Sequence, residues 1–219
     1  MYKTTDIEQT LIGQRLLPLF YHDSPEVSVA ILGALYDAGV RVVEYTNRGA
    51  SALANFVVLR QQVNESMPGL LLGIGTIKNE AQALDYINAG ADFIICPSMH
   101  AGVGAVCANA GKLWIPGCMP PTEFAAAENA GATLVKIFPG NLLGPSYISS
   151  IRDLFPGLRF LVTGGVEAEE KNLQGWFRSG VSGVGMGSKL ITKELVLRND
   201  FDGLKAATAR ALELVKDIH

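Results

Sequence analysis

Five times along the chain a small residue and a glycine stand together just ahead of an apolar run: Ala38-Gly39, Ala89-Gly90, Ala110-Gly111, Ala130-Gly131 and Ser179-Gly180. A glycine at that place supplies the left-handed backbone that ends a helix. The runs that follow are Val40–Glu44, Phe93–Cys96, Leu113–Ile115, Leu134–Phe138 and Val181–Val184. Leu16–Phe20, Leu70–Ile74 and Phe160–Val162 complete a set of eight. They are short and almost continuously apolar, as strands covered on both faces are. Between them lie helical stretches with start signals: Ser24 before Pro25, Asn79 before Glu80, and Pro121-Thr122-Glu123. Strands alternating with helices in this way predict right-handed crossovers and a closed parallel sheet, a (β/α)8 TIM barrel of the α/β class. An extra N-terminal helix is expected over about Asp6–Gly13 and a closing one over Asp200–Ile218. The rival is an open doubly wound sheet, whose first strand normally feeds a Gly-x-Gly-x-x-Gly turn. Here that strand runs into Tyr21-His22-Asp23-Ser24 instead.

With no composition shift to mark a linker, residues 1–219 read as one domain. A net charge of −3, with lysines and arginines scattered, gives no footprint for nucleic acid. The N-terminal Met1–Asp6 leads into no apolar signal segment, and no run approaches the roughly 20 residues that a membrane span needs. A soluble, cytoplasmic protein with no membrane partner is the expectation. Cys96, Cys107 and Cys118 form no Cys-x-x-Cys pair and share no ligand pattern with His22, His100 and His219. Buried free thiols are therefore expected, with no metal and no cofactor.

In a barrel of this kind the active site lies where the strands end. Lys136 stands inside Leu134–Phe138, with apolar neighbours on either side. An ammonium there is costly to desolvate, and desolvation favours the neutral, nucleophilic amine. Such an amine can condense with a ketone to a Schiff base, an electron sink for breaking a neighbouring C–C bond. A lysine at an exposed strand end, or one paired only for structure, is the plainer alternative. Strand alternation puts Val42, Glu44 and Thr46 on one face, so an inward Glu44 would reach the interior near Lys136 and move protons, or merely neutralise it. Arg48 is placed to clamp a carboxylate or to stand as a surface charge, and Thr76 offers a hydroxyl or simply starts a loop. The last two strands run into Thr163-Gly164-Gly165 and Gly185-Met186-Gly187-Ser188. Loops at these ordinal positions commonly hold a phosphate on backbone N–H groups, although glycine also serves plain turns.

Together these residues resemble the 2-keto-3-deoxy-6-phosphogluconate (KDPG) aldolase family, which includes the 4-hydroxy-2-oxoglutarate (KHG) aldolases. The matching segments are Gly39–Glu44 with Thr46 and Arg48, Gly73–Thr76, Ile115–Gly117, Val135–Pro139 and Thr163–Gly165. The lysine followed by an apolar residue and Phe-Pro is the most specific of them. The resemblance implies a metal-independent class I aldolase, usually a homotrimer, that cleaves KDPG to pyruvate and glyceraldehyde 3-phosphate. The related alternatives are cleavage of 4-hydroxy-2-oxoglutarate or of the phosphogalactonate epimer, and a non-catalytic phospho-sugar-binding barrel is the alternative from another class. Carried onto this sequence, the resemblance makes Lys136 the Schiff-base lysine and Glu44 the proton-transfer residue. Arg48 and Thr76 would hold the pyruvate carboxylate, Phe138 would wall the pyruvyl group, and Pro97 and Pro116 would shape the pocket. Thr163 would contact substrate, while Gly164, Gly165, Gly187 and Ser188 would bind the distal phosphate.

Overall fold

The computed structural model describes residues 3–218. Helix α1 (Thr4–Gln14) comes first, followed by β1 (Leu16–Phe20), α2 (Pro25–Asp37), β2 (Val42–Thr46), α3 (Ala52–Ser66), β3 (Leu71–Gly75) and α4 (Glu80–Asn88). The chain continues through β4 (Phe93–Ile95), α5 (Ala101–Asn109), β5 (Leu113–Ile115), β6 (Gly117–Cys118), α6 (Pro121–Asn129), β7 (Leu134–Ile137) and α7 (Gly140–Ile151). It ends with β8 (Arg159–Thr163), α8 (Glu170–Arg178), β9 (Gly183–Met186), a short α9 (Lys193–Leu197) and α10 (Phe201–Asp217).

All strand pairs are parallel, in the order β5-β4-β3-β2-β1-β9-β8-β7-β6. The two ends of that order are one strand interrupted at Pro116. Proline has no N–H to give a ladder, but its carbonyl still accepts the Lys136 N–H at 2.8 Å. The ring therefore closes through this strand with eight staves, and the open-sheet alternative falls.

The expected helix ends are where the sequence placed them. Gly39, Gly90, Gly111, Gly131 and Gly180 all have positive φ, between 64° and 103°. Strands β1, β4, β5 and β7 start with their apolar runs, whereas β2, β3 and β9 start one or two residues later; in β2 this is because the first residue after the glycine belongs to the helix cap. Val40 N–H donates to Leu35 C=O and Gly39 N–H to Tyr36 C=O, and the same pair of bonds follows α4, α5 and α6. This is the Schellman arrangement, in which an apolar residue just beyond the glycine packs back on its helix. Ser24 and Asn79 cap α2 and α4, accepting from Val27 N–H at 3.1 Å and Gln82 N–H at 2.9 Å.

Strand alternation divides the core in two. Val43, Tyr45, Leu72, Ile74, Ile94, Val135, Ile137, Val162 and Val184 face outward, into the layer between sheet and helices. Leu17, Val42, Leu71, Phe93, Ile95, Leu113, Ile115, Leu134 and Leu161 fill the barrel, joined by Ile7 and Leu11 of α1. Helix α1 thus plugs the N-terminal mouth, and burying those two side chains stabilises the closure by about 1.5–3 kcal/mol each. The opposite mouth is left for polar groups.

Candidate active site

One step above the apolar layer, several inward positions change character. Val42 gives way to Glu44, Leu134 to Lys136 and Leu161 to Thr163, while the facing positions on β3, β6 and β9 are Gly75, Gly117 and Gly185. The pairing puts Lys136 between Gly117 and Leu161, and Thr163 beside Gly185. Glycine here makes room: a Cβ on Gly75 would stand 2.5 Å from Glu44 Cδ and 2.9 Å from Cγ, with Oε1 nearer still. A Cβ on Gly185 would likewise overlap Thr163 Oγ1.

In the space so left, Lys136 Nζ lies 3.6 Å from Glu44 Oε1. Glu44 is 1% exposed and Lys136 6%. The separation is too long for a hydrogen bond, and neither carboxylate oxygen of Glu44 has a hydrogen-bond partner among the described residues. The Thr163 hydroxyl is equally unpartnered. Buried polar atoms are nearly always satisfied, and these three belong to inward positions of β2 and β8. The ammonium also sits over the Phe138 ring, 5.5 Å from its centroid, where the ring's negative face attracts a cation.

Phe138 connects this inner pair to the mouth. A cleft of about 650 Å3 opens there, lined by Arg48, Phe138, Thr163, Gly164, Gly165, Gly187 and Ser188 among others. Gly164 and Gly165 take φ values of 99° and 72°, which lets the backbone turn tightly against Gly140 and Asn141. The Gly187 carbonyl accepts from Leu190 and Ile191 N–H at 2.9 and 2.8 Å. That closes a single helical turn beginning at Ser188, an arrangement suited to an anion. Lys189 adds positive charge at this rim and is paired with Glu167 at 2.5 Å.

Comparison with known proteins decides what this barrel is. The family model described as KDPG and KHG aldolase matches residues 7–207. The chain belongs to that family. The aldolase is accordingly a carbon–carbon lyase. It is 31% identical over 176 residues to the 2-dehydro-3-deoxy-6-phosphogalactonate aldolase of Escherichia coli, covering 76% of this chain and 80% of that one. It is 29% identical over 210 residues to the 2-dehydro-3-deoxy-phosphogluconate aldolase of Treponema pallidum, covering 95% and 97%. Among solved structures it resembles a 4-hydroxy-2-oxoglutarate/2-dehydro-3-deoxyphosphogluconate aldolase with TM-score 0.82 and 29% identity, over 96% of this chain and 98% of the other. The KDPG aldolase of Legionella pneumophila, in which pyruvate was captured as a covalent carbinolamine, shares the fold with TM-score 0.85 at 22% identity, over 94% and 97%.

The expected site residues of the aldolase fall into three groups. Lys136 and Glu44 meet as a buried pair beneath the mouth. Arg48, Phe138, Thr163, Gly164, Gly165, Gly187 and Ser188 share the cleft above them. Thr76, Pro97 and Pro116 stand apart from that cleft, at the ends of β3, β4 and β5. Thr76 has φ 64°, a left-handed conformation that a β-branched residue adopts at a cost. A Cβ on Gly117 would collide with the Pro97 carbonyl group, so these two strand ends touch through backbone.

The sequence reading passed over Tyr21, His22 and Lys193, which also line the cleft. Tyr21 and His22 follow directly on β1, and their ordinal position at the C-terminal face was the signal available. Tyr21 hydrogen-bonds Asp23 and the Ser51 hydroxyl, and its ring occupies the space a side chain at residue 49 would need. It therefore braces the loop that carries Arg48. The three cysteines are free and buried, and no group of three or more potential metal ligands occurs among the described residues. No helix among them is long and apolar enough to cross a membrane.

Proposed function

We propose that the protein is a class I, Schiff-base aldolase that cleaves 2-keto-3-deoxy-6-phosphogluconate to pyruvate and glyceraldehyde 3-phosphate. The observation that carries this reading is the buried Lys136 amine, 3.6 Å from a Glu44 carboxylate whose oxygens have no hydrogen-bond partner among the described residues. A lysine kept only to balance a charge would be expected to satisfy its carboxylate with closer hydrogen bonds. This pair stands apart, with a third open polar atom on Thr163.

In the proposed route, neutral Lys136 attacks the C2 ketone, and the carbinolamine loses water to give a protonated imine. Glu44, directly or through a water, removes the C4 hydroxyl proton. The C3–C4 bond breaks as its electrons flow into the iminium, and the aldehyde leaves. The remaining enamine is protonated at C3 and hydrolysed to pyruvate, which frees the lysine. Arg48 and Thr76 take the carboxylate end, and Phe138, Pro97 and Pro116 wall the pyruvyl half. Thr163 contacts the substrate beyond it. The turns at Gly164-Gly165 and Gly187-Ser188 present N–H groups to the distal phosphate. The carbinolamine captured in the Legionella protein is chemistry of the same kind on the same fold.

Borohydride reduction in the presence of pyruvate, followed by peptide mass measurement, tests the route. A reduced pyruvyl adduct on Lys136 is expected, and Lys136→Ala should lose both the adduct and several orders of magnitude in turnover. An adduct elsewhere, or none, would sink the proposal. The likeness to the Escherichia coli enzyme favours a second substrate, the phosphogalactonate epimer. The two differ only in configuration at C4, so a pyruvate-release assay coupled to lactate dehydrogenase on both epimers separates them.

A further inference from the structure

His22 is held more firmly than a residue of a free loop needs to be. Its backbone carbonyl accepts from Ser28 Oγ at 3.2 Å, Tyr45 OH at 3.0 Å and Asn55 Nδ2 at 3.1 Å. Tyr45, Ser28 and Asn55 are buried, so the main chain at this point is anchored to β2, α2 and α3 at once. The ring is fixed as well, because Ser24 N–H donates to its Nδ1 at 3.1 Å. A nitrogen that accepts cannot carry the proton, so the neutral imidazole bears it on Nε2. His22 lines the mouth cleft together with Gly164, Gly165, Ser188 and Lys193. The register explains why: β1 lies between β9 and β2, and Pro18 pairs with Met186. The chain beyond Phe20 therefore emerges beside the Ser188 turn.

We infer that His22 is a specificity residue for the half of the substrate beyond the cleaved bond, donating Nε2–H to its terminal phosphate from the wall beside Ser188. The inference rests on the aldolase reading above and adds a side-chain donor to a phosphate site otherwise made of backbone N–H groups and one hydroxyl. A preset neutral donor suits a phosphate oxygen because it needs no reorientation when the ligand arrives. Lys193, at the first turn of α9, lines the same cleft and brings the positive charge that His22 lacks. The bonds from Ser28, Tyr45 and Asn55 end on the backbone carbonyl of His22, so removal of the ring leaves them in place and takes away only the bond from Ser24 N–H.

The test runs the reaction in the direction of synthesis, where the two halves are separate molecules. With His22→Ala, KM for glyceraldehyde 3-phosphate should rise about tenfold, the loss expected for one hydrogen bond to a charged group. KM for pyruvate and the yield of the borohydride adduct with pyruvate should stay within about twofold of the native protein, by the same reasoning. With unphosphorylated glyceraldehyde as acceptor the variant and the native enzyme should match. His22→Gln, whose amide N–H reaches the region of Nε2, should recover most of the loss. Equal penalties with the two aldehydes, or a rise in KM for pyruvate instead, would overturn the assignment. Absence of any pyruvate adduct in the native protein would overturn the aldolase reading itself, a separate outcome.

Discussion

Replacing Gly75 with alanine perturbs the reaction centre through a single methyl group. The new Cβ would sit 2.5 Å from Glu44 Cδ, whereas an ordinary contact needs at least 3.4 Å. The carboxylate is buried, 1% exposed, so it must shift by about 1 Å or push β3 outward. If it retreats directly from Lys136, the 3.6 Å separation grows to about 4.5 Å. At an effective dielectric near 20 this weakens the attraction by about 1 kcal/mol. The larger effect is on the chemistry, since a misplacement of about 1 Å in a catalytic group costs on the order of 10²-fold in rate, or roughly 2.7 kcal/mol of barrier. Overpacking should also cost about 1–3 kcal/mol of stability, a fall of about 2–4 °C in Tm per kcal/mol for a chain of this size. Steady-state kcat at 25 °C, with the folded fraction checked by circular dichroism, measures the first effect apart from the second. The lysine itself is untouched, so pyruvate should still be trapped on Lys136 by borohydride. A Gly75→Ala enzyme with native kcat would refute the reasoning, because the carboxylate would then not need the place the glycine reserves for it.

Two further outcomes follow from the same geometry. Ser188→Ala should raise KM for phosphorylated substrate several-fold, about 1 kcal/mol for one lost hydrogen bond, and leave turnover of 4-hydroxy-2-oxoglutarate unaltered; equal effects on both substrates would remove Ser188 from the phosphate site. Burial pushes the Cys96 thiol up to about 11 and those of Cys107 and Cys118 up to about 12. The folded protein therefore keeps protons that the unfolded chain begins to lose near pH 9. Their contribution is fully present below that pH and fades as pH climbs through 11 to 12, by about 1.4 kcal/mol per pH unit for each thiol. Urea midpoints from pH 8 to 11 should fall more steeply for the native protein than for a C96A/C107A/C118A variant, and parallel curves would contradict this.

The barrel was legible because its signals are local. A glycine that must turn left-handed after a helix, and a run too apolar to face water, each report on their own few residues. The same locality misplaced the start of β2: Val40 N–H is part of the cap of α2, and the strand begins only at Val42. Lys136 and Glu44 drew notice for a related reason, as charges inside runs that leave water on neither face. Tyr21 and His22 sent no comparable signal, since a tyrosine and a histidine after a strand are unremarkable in composition. Their importance lies in whom they touch.

What the amino-acid order determined by itself was the repeat of strand and helix, the shared face of Val42, Glu44 and Thr46, the charge of Lys136 inside an apolar run, and the glycines at the last two strand ends. Only the closed ring decided that residues on β2 and β7 should meet at 3.6 Å, because that distance depends on how many strands lie between them and how the circuit is completed through Pro116. It also decided that the mouth cleft should gather Arg48, His22 and Ser188 from three different loops. Periodicity fixes which face a side chain takes; curvature of the sheet fixes its neighbours across the interior, and no short stretch of sequence encodes that curvature.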